Sequence, residues 1–341
     1  MIESGTGWAG KLDDRPSHIV AWGRSKASPS LFYDLASLTK VVVTNSLILD
    51  LCVDLKKSIG EFRKLSLKDL LPSAPQGLLP LKISSIWDHR AGLKSHFLLD
   101  PLKSRQAFKG SREELWDFVL KQVAAEGISH GDETVYSDLD YWVLGAVLET
   151  YYKKNLSELW QLYKKKYALP SNDLILGSVA PEAAVPTESR HPSGVVNDDN
   201  AFFMQGIAPH AGLFSTAEAL WDWMRLMQNF YDKNPEFKEY FIPVTETRFW
   251  CGWDRPSEAK TQAGEGASRE EVLGHLGFTG TALWWNPLNK WGALLLTNRV
   301  HPSHSEESRQ EIGDLRVKFF SMLWHVNREE LFNAFEIDKV Q

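Results

Sequence analysis

The spacing of apolar and polar positions divides the chain into a short β start, a helical middle, a β-rich last third and a closing helix. Residues 17–24 (SHIVAWGR) predict a strand entering a glycine turn. Residues 34–56, which contain VVVTNSLILDL, predict a helix with Asp34 as N-cap. A Pro/Gly/Ser-rich stretch from Pro72 to Pro80 ends that segment. Helical periods follow over 83–90, 111–126, 137–152 and 156–167, and Ser111 with Glu114 has capping-box spacing. Between 170 and 210, prolines and polar residues break any period, and so long a connection points to a functional segment or a lid. Helix returns over 216–230, with Ser215 and Glu218 again at capping-box spacing. Alternation then takes over. Residues 248–254, 271–278, 280–286 and 291–299 predict strands, the last two flanking the hairpin turn Asn286-Pro287-Leu288-Asn289, and 306–328 predicts the final helix. The order predicts an α+β fold, with a mostly helical domain (76–210) inserted into a sheet domain made of 1–75 and 211–341.

Composition narrows the function. With 341 residues, 43% hydrophobic and 24% charged, the chain is long enough for two domains or one large one, and disorder is excluded. The two cysteines, Cys52 and Cys251, are far apart and form no CxxC pair, which excludes a zinc ribbon. A net charge of −6 excludes a broad nucleic-acid surface. The most apolar run, Val41 to Leu55, is interrupted by Asn45, Asp50 and Asp54, so no membrane span is expected. The N-terminal residues lack the basic and apolar regions of a signal peptide. The expectation is a cytoplasmic protein if the chain is the full gene product, and a periplasmic or secreted one if a leader was removed. Tryptophan is in excess, with 14 residues that serve either as core filler or as binding surface.

Several motifs fail on context. GTGWAG at 5–10 matches GxGxxG, but only four residues precede it, too few for the strand a dinucleotide fold requires. The same segment approaches a phosphate loop, with Leu12 where Ser or Thr must bind Mg²⁺. Gly23-Arg24-Ser25-Lys26-Ala27 narrowly misses the GxSxG elbow, and there is no HExxH. His301, His304 and Glu306 read as a solvated polar loop rather than a metal site, and no metal or cofactor is expected.

Ser-x-x-Lys occurs twice. Ser257 to Lys260 lies in a polar stretch and reads as chance, whereas Ser37-Leu38-Thr39-Lys40 opens the apolar helix. On a helix, positions i and i+3 share a face, so the Ser37 hydroxyl and the Lys40 amine can meet. A serine hydroxyl needs such a neighbour to lose its proton, and lysine serves as the base only if burial and positive potential lower its pKa. The plain alternative is a surface lysine after a helix-start serine.

Two further motifs follow in order: Tyr136-Ser137-Asp138 before a helix, and His275-Leu276-Gly277 on a predicted strand. With IWDHRAGL (86–93), HAGLFSTAEAL (210–220) and LLLTNRVHP (294–302), they resemble the serine β-lactamase and penicillin-binding protein superfamily. The likeness is to its class C β-lactamase-like branch, which includes esterases and D-amino-acid peptidases, and runs from about residue 17 to the C-terminus. The resemblance implies an antiparallel sheet flanked by helices, with the active site between sheet and helical domain. It also implies Ser37 as nucleophile, Lys40 and Tyr136 as the proton-transfer pair, and the Phe278 and Ser37 N–H groups as oxyanion hole. Gly277 would keep the strand edge open for substrate.

Three positions depart from the family pattern. Asp138 stands for Asn, accepts without donating, and favours the charged form of Lys40, which makes Tyr136 the better base. Leu276 stands for the Thr or Ser that reads the carboxylate of penicillin-like substrates. His275 stands for Lys and is expected to titrate near pH 6.5, its electrostatic help fading as pH rises. His89, His210, Asp88 and Arg90 read as structural groups. The resulting expectation is a serine hydrolase, esterase- or amidase-like, on a small acyl or peptide substrate. The alternatives are a catalytically weak binding protein and an exported cell-wall D-peptidase or β-lactamase. Six tryptophans (Trp87, Trp142, Trp250, Trp253, Trp284 and Trp285) adjoin these motifs and suggest a cleft with at least one aromatic wall.

Overall fold

The computed structural model describes residues 2–330 except 25–27, 29, 103, 130–132, 171, 190, 243–246, 257–260, 326 and 329. The second Ser-x-x-Lys, Ser257 to Lys260, lies outside the described residues, as do Ser25 to Ala27 of the elbow near-match.

The core is a seven-stranded antiparallel sheet in the order β2-β1-β10-β9-β8-β7-β6. Its strands are β1 (Gly5–Lys11), β2 (His18–Trp22), β6 (Phe249–Trp250), β7 (Trp253–Asp254), β8 (Leu273–Leu276), β9 (Ala282–Asn286) and β10 (Trp291–Thr297). A smaller sheet pairs β3 (Tyr33–Asp34) and β4 (Leu174–Leu176) on either side of β5 (Leu213–Ser215). The principal helices are α1 (Asn45–Asp54), α2 (Arg112–Ala125), α3 (Asp138–Tyr152), α4 (Leu156–Lys166), α5 (Ala217–Lys233) and α6 (Glu306–Trp324).

Strand β10 is buried along its whole length because α5 and α6 both pack on it. Its residues alternate between two cores: Leu294 and Leu296 join the main one, and Trp291, Ala293 and Leu295 join the one under α6. Strand β9 divides the same way, sending Trp285 to the first and Trp284 to the second. The six motif-adjacent tryptophans are all 3% exposed or less, so they are core and not cleft wall. Two-period alternation next to a site buries every large residue when both faces of the sheet are covered.

The glycines of GTGWAG belong to a strand that the sequence reading missed. A Cβ on Gly5 would meet the Trp22 ring at 2.2 Å, and one on Gly7 the Phe319 ring at 2.6 Å. The spacing serves close packing and not phosphate binding. The predicted helix 34–56 is shorter and later. Asp34 ends β3, Leu38 and Thr39 begin the helical turn, and a π-helical turn over Lys40–Thr44 leads into α1. The cap of α5 is Thr216, whose Oγ1 accepts from Ala219 N–H, while Ser215 lies in β5. The Ser111–Glu114 capping box forms as expected. The predicted strand 248–254 is broken by a tight turn at Cys251-Gly252. The 83–90 helix stops at Trp87, and the final helix stops at Trp324. The hairpin after Asn286 is present, with Asn286 Oδ1 accepting from Leu288 and Asn289 N–H.

Trp285 lies between Trp223, Trp253 and Phe241, away from the cleft. Trp285→Ala should therefore lower unfolding stability by about 3–5 kcal/mol. Urea denaturation reads this, and a loss under about 1 kcal/mol would remove it from the core.

Candidate active site

The chain turns sharply between β3 and α1, and that turn carries Ser37. Ala36 has φ +45°, a left-handed conformation that costs a residue with a Cβ roughly 1–2 kcal/mol. Hydrogen bonds on every side hold it. The Asp34 carboxylate accepts from Ala36 N–H at 2.8 Å and Asn197 N–H at 2.7 Å. Thr279 Oγ1 donates to Asp34 O at 2.6 Å, and Thr281 Oγ1 to Leu35 O at 3.0 Å. Thr39 Oγ1 donates to Ala36 O at 2.7 Å and accepts from Leu213 N–H at 3.1 Å. The β8–β9 turn, β5 and the 170–210 segment thus all fix the same three residues.

One turn on, the Lys40 side chain is fully buried. Its three donors meet three acceptors: Asp138 Oδ1 at 2.7 Å, Ser37 Oγ at 3.2 Å and His210 O at 3.3 Å. Burial alone would lower its pKa, but the Asp138 carboxylate and the Tyr136 hydroxyl outweigh that and hold the ammonium form. Asp138 is the first residue of α3, after its Ser137 cap, so the positive helix end also favours its charge. Burial raises the Asp138 carboxyl, but the Lys40 ammonium more than reverses this and holds it well below the usual range. Tyr136 packs its ring against His89, Phe249 and His275, and its hydroxyl meets Lys40 and Ser37. Burial pushes its pKa up, with Lys40 opposing. The resting site thus holds a lysine ammonium, an aspartate and a neutral phenol.

His275 differs from its expected behaviour. Its Nδ1 lies 2.9 Å from Leu276 O, an acceptor, so the ring proton sits on Nδ1. Burial, with Lys40 nearby, pushes its pKa down to about 3. It is neutral at any working pH and supplies no titrating charge. Gly277 also answers to close packing. A Cβ there would meet Thr281 Oγ1 at 2.0 Å and Leu35 O at 2.7 Å, so its absence lets the β8–β9 turn close onto the serine turn.

These groups open into a cavity of about 640 Å³. Ser37, Tyr136, Asp138, His275, Leu276, Gly277 and Phe278 all line it, while Lys40 lies buried beneath. Its aromatic lining is Tyr136, Phe249 and half-exposed Phe278, with no tryptophan among the described residues. The sequence reading missed His96, Asn197, Asp198, Arg248 and Arg316, which reach the cavity from loops and helix faces that carry no motif, and Arg299, which lies in the LLLTNRVHP segment but was not singled out. His96 Nδ1 lies 3.3 Å from Asp138 Oδ2, and the carboxylate raises its pKa.

His89, His210, His301 and His304 have structural partners. His89 pairs with Asp140 at 2.8 Å in the core. His210 Nδ1 accepts from Trp142 Nε1 at 3.1 Å, and an indole only donates, so the His210 proton is on Nε2, 3.0 Å from Asp198 Oδ1. Asp138, Asp198 and His210 are close enough to share an ion, but the protonated Nε2 does not offer a lone pair. Asp88 is held by both terminal nitrogens of Arg63. His301 meets Thr187 O, and His304 pairs with Glu188.

The neutral His275 has a consequence for stability. Its pKa is near 6.5 when unfolded and about 3 when folded, so the unfolded chain binds more protons in between. Stability from this group is complete above about pH 6.5 and is lost as pH falls toward 3. His275→Gln should lose less stability than wild type between pH 7.5 and 4.5 in urea unfolding. Equal losses would contradict a neutral His275.

Similarity to known proteins agrees with this geometry. The Beta-lactamase family model matches residues 13–316. An N-acetylmuramyl-L-alanine amidase of Bacillus subtilis is 28% identical over 313 residues, covering 81% of this chain and 70% of its own. A putative D-alanyl-D-alanine carboxypeptidase of Salmonella typhimurium is 26% identical over 355 residues, covering 88% and 81%. Among solved structures, a class C β-lactamase from Rhodobacter sphaeroides aligns with TM-score 0.64 at 14% identity, over 92% of this chain and 93% of that one. EstCE1, a hydrolase with promiscuous acyltransferase activity, aligns with TM-score 0.65 at 15% identity, over 94% of both chains. No helix among the described residues is long and apolar enough to cross a membrane. The chain belongs to the Beta-lactamase family and is a serine hydrolase with the β-lactamase/transpeptidase fold.

Proposed function

We propose that the chain hydrolyses a small ester or amide through an acyl-enzyme on Ser37. The observation that carries this reading is the 3.2 Å contact between Lys40 Nζ and Ser37 Oγ, at the floor of a cavity that Tyr136 also lines. Neither Lys40 nor Tyr136 is a free base at rest, so the proton moves in a relay. Ser37 Oγ attacks the acyl carbon and passes its proton to the Tyr136 oxygen, while Tyr136 passes its own to the leaving group. The Lys40 ammonium stabilises the negative charge that builds on both oxygens. The N–H groups of Ser37 and Phe278 would hold the carbonyl oxygen as it becomes an oxyanion. Water then attacks the acyl-enzyme by the same relay in reverse, which releases the acid and restores Ser37. The site would lie between the sheet unit (1–75 and 211–341) and the helical unit (76–210).

Leu276 and the neutral His275 favour an acyl ester or amide over a penicillin-like substrate, because neither presents a charge or hydroxyl to a carboxylate. A D-peptide substrate is the second reading. Arg299 in the cavity wall favours it, as do the named amidase and carboxypeptidase relatives. Such a peptidase would work in the periplasm or outside the cell.

A fluorophosphonate probe should add one label to the wild type and none to Ser37→Ala, read by intact mass. Tyr136→Phe should lower kcat/KM by about 10²–10⁴. Esters, D-alanyl amides and penicillin offered in parallel should be turned over in that order of preference. A folded protein left unlabelled while a control hydrolase reacts would instead identify a binding protein.

A further inference from the structure

The reaction scheme leaves the buried guanidinium of Arg316 unused. Arg316, on α6, is 5% exposed. Its Nη2 donates to Gly277 O at 2.8 Å and to Thr281 O at 2.7 Å, and its Nη1 to Gln262 Oε1 at 2.7 Å. Every one of these partners is neutral, and Nε has none among the described residues. Burial, with the Arg299 guanidinium nearby, pushes its pKa down to about 9. A buried charge without a counter-ion is costly, and a neutral side chain of similar shape would pack here at less cost. Shape alone is therefore a poor account of an arginine at this position.

The bonded carbonyl is the informative one. Gly277 O belongs to the same peptide as the Phe278 N–H. That peptide is one conjugated unit, so electron density drawn toward its oxygen leaves its N–H more positive. The partner donor is built alike. The Ala36 carbonyl, which shares a peptide with the Ser37 N–H, accepts from Thr39 Oγ1 at 2.7 Å and Thr39 N–H at 3.0 Å. Gly277 O likewise accepts twice, from Arg316 and from Gly280 N–H at 3.1 Å. Both oxyanion donors are thus backed by a doubly bonded carbonyl, one by neutral groups and one by a cation.

We propose that Arg316 is a positioning residue for the reaction: it pins and polarises the Gly277–Phe278 peptide, making the Phe278 N–H a stronger oxyanion donor than an ordinary amide. The inference rests on the acyl-enzyme reading above. Because its effect grows with the charge on the carbonyl oxygen, it acts on the transition state and leaves substrate binding nearly untouched.

The test compares wild type, Arg316→Gln and Arg316→Lys with a chromogenic ester, together with the infrared C=O stretch of a ¹³C-labelled acyl-Ser37. Arg316→Gln should lower kcat about tenfold, a fraction of the loss for a whole missing oxyanion donor, with KM within about twofold. Its acyl C=O stretch should move to higher wavenumber, because a weaker donor polarises the carbonyl less. Arg316→Lys keeps the charge on a single nitrogen and should fall between, about threefold below wild type. An unchanged kcat overturns the inference, and so does a lowered kcat with an unmoved stretch, which marks a structural role only. If Arg316→Gln does not fold, Arg316→Lys carries the test, and wild-type kcat and stretch there overturn it. A wild type that forms no acyl-Ser37 overturns the acyl-enzyme reading and this inference together, whereas a labelled wild type with an unaffected Arg316→Gln overturns this inference alone.

Discussion

A lysine ammonium with no access to water has to find all its hydrogen-bond acceptors inside the protein, and Lys40 finds them on three separate segments. Asp138 brings the start of α3, His210 O brings the chain just before β5, and Ser37 is its own turn. Removing one partner of a buried ion pair strands the other charge at a cost of about 3–5 kcal/mol, so the pair fixes helix against sheet as well as shaping chemistry. The position of the serine hydroxyl, the reach of Tyr136 and the place of the cavity all depend on this junction. The cation lies 4.9 Å from the Tyr136 ring and 5.6 Å from the Tyr141 ring, which adds attraction in a site that cannot hydrate it.

The serine turn meets the same demand with backbone groups. Ala36 is held in a left-handed conformation because surrounding groups over-determine it: the Asp34 carboxylate, two threonines of the β8–β9 turn, and Thr39. Such strain persists at sites where geometry matters more than local comfort. The glycine at 277 belongs to this arrangement, since only a missing Cβ lets the β8–β9 turn reach the Leu35 carbonyl. The serine turn and the β8–β9 turn are therefore tied directly to each other by the Thr279 and Thr281 hydroxyls.

The distribution of charge distinguishes this site from the family pattern. Asp138 cancels the Lys40 charge, and His275 is neutral where the pattern has a lysine. Positive potential comes instead from behind the β8–β9 turn, where Arg316 meets Gly277 O and Arg299 Nε meets Phe278 O at 2.6 Å. In the proposed reaction, an aspartate that only accepts, a leucine without a hydroxyl and a cation placed behind the backbone would suit a substrate recognised by its reacting carbonyl more than by a carboxylate.

The sequence alone determined the elements with strong periodicity and the order of the chemical motifs. Helices α3 and α4, the hairpin at Asn286 and the Ser37–Lys40 face follow from local spacing, which the chain carries within a few residues. Asp138, Leu276 and His275 were legible as departures because a motif holds a fixed place. Other features were decided only by tertiary packing. The strand β1 was hidden because its glycines answer to Trp22 and Phe319, distant in sequence. The tryptophans went to the core because helices cover both faces of the sheet, which no alternation can announce. His275 lost its titration to burial, and His96 and Arg316 joined the site from segments without a motif. Local spacing sets which side chains share a face. Burial and long-range hydrogen bonds, which depend on what the fold brings together, set their charge and their partners.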